Sequence, residues 1–200
     1  MTSPTQPARS ASVPVIGILW FLAAAFVAAT GRLETLKPPA PQLMVLGLTV
    51  LLLATILLVS PVSRWVGGLP ARAIVAFHLI RLVAGSGFLL FYMRGELPAA
   101  FAIPSGWGDI TVAVLAAVLL VIGPPATEGR RRLYFIWNLL GLADILFVVV
   151  TAASVGVSNP AGMTPLLRLP LSLLPTFFVP LIIVSHFVLA LRLKSRGQPS

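Results

Sequence analysis

Residues 71–94 read ARAIVAFHLIRLVAGSGFLLFYMR. Between Arg72 and Arg94 this run is mainly apolar, its strongly polar residues being His78 and Arg81, and it is long enough to cross the hydrocarbon of a bilayer, which takes about 20 helical residues. Arg81 lies near its middle. A guanidinium at that depth cannot shed its proton, so it needs an acidic partner or water. His78, Arg81, Gly85 and Tyr92 recur at helical spacing and share a broad face. A span that carries its own buried cation predicts a bundle of other spans around it.

Five further apolar runs supply that bundle. The six are placed at about 14–30, 41–60, 71–93, 108–123, 132–153 and 170–192, separated by GRLETLKPPAP, PVSRWVGGLP, RGELPAAFAIPSGWG, GPPATEGRRR and SVGVSNPAGMTPLLRLP. Lipid offers the backbone no hydrogen bonds, so the runs are read as helices. The whole chain agrees: 200 residues, 58% hydrophobic and 10% charged, against roughly 25% charged for a soluble domain. The expected fold is all-α, a six-transmembrane-helix bundle. One membrane domain over 14–193 follows a disordered cytoplasmic N-terminus (1–13) and precedes a cytoplasmic tail (194–200).

The net charge of +9 does not predict nucleic-acid binding. The basic residues sit between spans rather than in a patch with interleaved aromatics. On one side lie Arg9, Arg64, Arg72, Arg130, Arg131, Arg132, Arg192, Lys194 and Arg196; on the other, Arg32, Lys37, Arg94 and Arg168. Nine against four places both termini in the cytoplasm. The first run, with Val27-Ala28-Ala29 near its end, has some features of a cleavable signal. Its core is long for one, and removal would leave five spans, so it is read as a span.

The ionisable residues inside the spans are the candidate site, because such residues in hydrocarbon are costly unless paired or facing a cavity. Asp144, in RLYFIWNLLGLADILFVVVT (132–151), matches Arg81 in depth by helical rise. It shares a face with Trp137 and Gly141, and Gly141 would admit a close neighbour. An Arg81–Asp144 pair is therefore expected. His186, in the sixth run, matches His78 in depth, and the two could ligate one metal or a haem b iron, or relay a proton. Asn138 joins the list as a polar residue beside Trp137. Pro175 and Pro180 should kink the sixth span. The segment LPAAFAIPSGWGDI (97–110) is expected to fold back as an outer cap, with Trp107 at headgroup depth and Asp109 as the N-cap of the fourth helix or a ligand-facing carboxylate. The first two spans lack ionisable residues and read as a lipid-facing wall.

The chain has no cysteine, which excludes thiolate chemistry and Cys-based metal sites. It also lacks a phosphate-binding glycine loop, H-E-x-x-H and G-x-S-x-G. With no intramembrane lysine there is no retinal Schiff base.

H-x-x-R, then LPAAFAIPSGWGDI, then WNLLGLAD, then P-x4-P-x5-H, over residues 72–192, resembles a group of small bacterial multi-span proteins with no assigned activity. The resemblance implies a bacterial inner-membrane location and no particular substrate. Three functional classes then stand. The first is a binding or accessory component whose polar centre, in the third to sixth spans, holds the bundle together. The second is a small proton-coupled transporter. The third is a membrane enzyme or haem protein acting on a lipophilic molecule such as a quinone or isoprenoid. The partner common to all three is the lipid bilayer, and a homo-oligomer or a membrane partner is compatible with each.

Overall fold

The computed structural model describes residues 12–195. Of the expected disordered N-terminus (1–13), residues 1–11 lie outside the described residues and 12–13 are helical; of the expected tail (194–200), 196–200 lie outside them and 194–195 still belong to the last helix. The chain is all-α, and six of its helical stretches are long and apolar enough to cross a membrane. These are α1 (Ser12–Ala29), α2 (Ala40–Leu58), the pair α4 (Ala71–Phe77) and α5 (Ile80–Met93), α6 (Ala99–Ile122), α7 (Glu128–Ser158), and a π-helical turn, Leu174–Phe178, leading into α9 (Val179–Ser195). Between α2 and α4 lies the short α3 (Ser60–Gly68), and after α7 the single turn α8 (Pro160–Met163).

The inner layer is α5, α6, α7 and α9. The α5–α6 and α6–α7 pairs pack most extensively, followed by α7–α9. α1 and α2 are peripheral: few of their residues are buried, and apolar side chains from Ile16 and Phe26 to Leu51 and Leu58 are exposed, while α2 packs along α9. With no hydrophobic drive between helices in lipid, close packing has to come from small residues, and two glycines supply it. A Cβ on Gly85 of α5 would lie 2.5 Å from the Gly106 carbonyl oxygen of α6. The two backbones cross there in contact.

Three expectations about boundaries are corrected. The fourth helix begins at Ala99, not near 108, and carries Pro104 inside it. The segment 97–110 is thus the first half of a span rather than a cap. The proline leaves one helical bond unmade, a defect that membrane helices tolerate when neighbours surround it. Consequently Asp109 is the eleventh residue of α6 (99 to 109) and not its N-cap. The sixth span begins at Leu174, where Val179 N–H bonds the Leu174 carbonyl five residues back. The extra residue of this π turn falls between Pro175 and Pro180, where a kink was expected.

The arginines of the second and fourth connections and of the end of α9 do more than mark a side. Arg72 donates to Leu120 O (3.0 Å), Arg131 to Leu193 O (2.9 Å), and Arg192 to Val66 O (2.7 Å) and Gly67 O. Each cap lands on carbonyls in the last turn of a helix (α6, α9 and α3), the negative end of the dipole where helical partners run out; Val66 O also accepts from Leu69 N–H.

Candidate functional site

The Gly85–Gly106 crossing decides what meets what. Arg81 is four residues before Gly85 on α5, and Asp109 is three residues after Gly106 on α6, so one turn from the crossing the two side chains face each other. Arg81 Nε donates to Asp109 Oδ1 at 2.6 Å. From the third inner helix, α7, come two more acceptors. Arg81 Nη1 donates to the Gly141 carbonyl (3.0 Å), and Nη2 donates to Asp144 Oδ2. The guanidinium is thus held by three nitrogens on two carboxylates and a backbone oxygen. Arg81 is completely buried, Asp109 is 4% exposed, and Asp144 keeps 17%.

Glycine also lets the carboxylates in. Gly108 packs directly against the Asp144 carboxylate, leaving no space for a side chain there. A Cβ at Gly141 would come within 2.6 Å of His186 Cε1. The expected Arg81–Asp144 pairing is present, and Asp109 is a second partner that the sequence reading placed at a helix start. The signal existed: Arg81 and Asp109 each lie one turn from a glycine, in R-x-x-x-G and G-x-x-D, but only if 97–110 is helical.

Beside this cluster stand the two histidines, both fully buried. Their ring centroids are 4.3 Å apart, and the Trp137 ring closes the group at 5.0 Å from His78 and 5.7 Å from His186. Trp137 Nε1 donates to Val112 O at 3.1 Å. The span carrying His78 tightens at that point. His78 N–H and Arg81 N–H bond the carbonyls three residues back, Val75 and His78, which separates α4 from α5. Such a 3₁₀ stretch inside a helix re-aims side chains.

The hydrogen bonds assign the tautomers. Asn138 Nδ2 donates to His186 O (3.1 Å), so its Oδ1 accepts from His186 Nδ1 (3.0 Å). His186 Nδ1 thus carries a proton, and its Nε2 edge lies against the Gly141 backbone. Ser185 Oγ donates to Ile182 O (2.8 Å), so it accepts from His78 Nε2 (3.0 Å) and leaves the lone pair on His78 Nδ1. His78 Nδ1 is buried with no hydrogen-bond partner, whereas the His186 ring also bonds the Gly141 backbone. Asn138 is therefore the residue that orients His186, and Ser185 the one that orients His78; Ser185 was not among the expected residues.

One of the arrangements raised for the two histidines, a haem held between them, has no space here. Axial ligation of a haem places the macrocycle between the two imidazoles, each nitrogen about 2.0 Å from the metal by analogy with other imidazole sites. Rings already in contact at 4.3 Å leave no room for it. Among the described residues, no three His, Cys, Asp or Glu side chains converge as a metal-ligand group.

A separate chamber of about 290 Å³ lies between α2, α6, α7 and the segment 160–179. Its lining includes none of His78, Arg81, Asp109, Asn138, Asp144 or His186. It comes close to them, however: Val148 of the lining is one turn beyond Asp144.

A family model described as a domain of unknown function (DUF8737) matches residues 38–194. The chain belongs to that family. The match runs from the start of α2 to the end of α9 and so takes in every residue of the Arg81 cluster and the histidine pair, leaving α1 outside. No curated protein and no solved structure matches the chain.

Proposed function

We propose that this membrane protein is a binding or accessory component with no chemistry of its own, and that the Arg81 cluster is the clasp that fixes its inner helices. The observation that carries this reading is the closure of the guanidinium: Nε, Nη1 and Nη2 each find an acceptor, and those acceptors lie on both neighbouring helices. A buried ion set of this kind adds little net stability over an apolar replacement of the same shape. Removing one member, however, leaves an uncompensated charge at a cost of about 3–5 kcal/mol. It therefore fixes which helix faces which. The charge asymmetry of the connections supports a bacterial inner-membrane orientation with both termini cytoplasmic.

The test is a mutational cycle read on folded yield and melting in mild detergent. Arg81→Leu alone should abolish folded protein. Arg81→Leu combined with Asp109→Leu and Asp144→Leu should restore it. If the triple variant stays unfolded while Asp144→Asn alone is stable, the cluster is not a clasp.

A second reading is a proton-coupled carrier, favoured by two specific observations. There are two carboxylates to one guanidinium, one of them still partly exposed, and an unpartnered imidazole nitrogen, His78 Nδ1, lies beside them. Proton flux in vesicles containing the purified protein, lost in Asp144→Asn, would establish it over the first.

A further inference from the structure

The 290 Å³ chamber has walls of Val45, Phe88, Phe101, Val148, Ala152 and Met163. That is near the lower end of the volume range of ligand sites, about 300–1,000 Å³. The chamber's other end is polar. Glu34 and Lys37, from the connection between α1 and α2, form part of the lining, as does Gln42 in the first turn of α2. Glu34 is taken: Arg168 Nε donates to its Oε2 at 2.6 Å. Lys37 has no ion-pair partner among the described residues. Because Arg168, outside the lining, neutralises Glu34, the Lys37 ammonium is the charge left for a ligand. Gln42 Oε1 is buried with no hydrogen-bond partner, and a buried acceptor left so calls for a donor.

These features specify an occupant with a chain for the apolar walls, an anion for Lys37 and a hydroxyl for Gln42. We infer that the chamber binds a single-chain lipid with an anionic, hydroxyl-bearing head group, its chain pointing down towards Val148 and its head at Lys37 and Gln42. The inference rests on the binding reading above and names the ligand class. It also gives the first connection a task, since Glu34 held by Arg168 keeps that segment against the fifth connection beside the chamber. With both termini cytoplasmic, the ligand enters from the outer leaflet.

The experiment uses the full chain in phosphatidylcholine vesicles and a lysophosphatidylglycerol carrying a photoreactive diazirine in its chain. Cross-links should saturate and fall in the peptides around Phe101 and Val148 to Met163. Ala152→Trp should remove them. Lys37→Gln and Gln42→Leu should each raise the half-saturating concentration roughly tenfold, the loss of one hydrogen bond to a charged or buried group. The corresponding choline lipid should label as weakly as Lys37→Gln does with the glycerol lipid. If both lipids label alike, or Lys37→Gln changes nothing, or the label spreads over α1 and α2 without saturating, the inference is overturned. Lys37 lies outside the spans, so its variant carries the test should Ala152→Trp fail to fold. Failure with an intact clasp cycle overturns the ligand alone. Recovery of a chemically altered lipid overturns instead the reading that the protein does no chemistry.

Discussion

Arg81 shows what a single side chain demands of a membrane fold. Its fork meets three acceptors in fixed directions, and lysine offers only a point charge on a flexible stem. Arg81→Lys should therefore behave almost as badly as Arg81→Leu, with folded yield in detergent as the measurement; a stable Lys variant would show that charge alone suffices. Asn138 offers a second test. It both donates to His186 O and accepts from His186 Nδ1. Asn138→Leu leaves the buried His186 Nδ1 unpaired, at about 1–3 kcal/mol, and should lower the melting temperature by a few degrees; an unchanged melt would remove the residue from the orienting role assigned here. At this scale the sequence was most legible. Depth along each helix brought Arg81 to Asp144 and His78 to His186. Asp109 was misplaced because aspartate before a long apolar run is the ordinary mark of a helix start, and nothing local separates that from an aspartate in mid-span.

Among elements, the glycines at the crossings carry the specificity. At Gly85 an added methyl meets the Gly106 carbonyl and the Asp109 Cβ, neither of which can swing away. Gly85→Ala should destabilise by about 1–3 kcal/mol through overpacking and should push Arg81 from Asp109. Gly47→Ala, on the exposed face of α2 with nothing within 4 Å, should be neutral or stabilise by up to about 1 kcal/mol. Thermal melts of the two variants side by side check the contrast, and equal effects would refute a backbone crossing. All six spans were legible from length and hydropathy, yet the start of the fourth was not. Pro104, Gly106 and Gly108 read as a break by the rules of water, where an unmade backbone bond is replaced by solvent. In a bundle the same residues are the means of close approach. The 3₁₀ tightening at His78 left no trace in composition either, because it is set by what the neighbouring helices require of that side chain.

For the whole molecule, the peripheral α1 and α2 against an inner layer of α5, α6, α7 and α9 agree with the polarity of the sequence. Orientation rests on charge alone and can be measured cleanly, because the chain has no cysteine of its own. Gly129→Cys, in the first turn of α7, should react with impermeant maleimide only from the cytoplasmic side. Glu96→Cys, between α5 and α6, should react only from the opposite side. The reverse pattern would invert the molecule and place the lipid chamber in the inner leaflet.

The burial of Arg81 between partners on two later helices has a consequence for how the chain is made. When the third span leaves the ribosome, neither Asp109 nor Asp144 has yet reached the membrane, and an unpaired arginine at mid-span opposes partition into lipid by about 2.5–3.5 kcal/mol. We predict that this span waits beside the insertion machinery until the fourth and fifth arrive, and that the three are released together. Truncated chains ending before residue 109 should leave the third span extractable by alkaline carbonate, and chains extended past residue 144 should not. Assembly in the bilayer would then be timed by one guanidinium, with the order of synthesis acting as part of the folding mechanism.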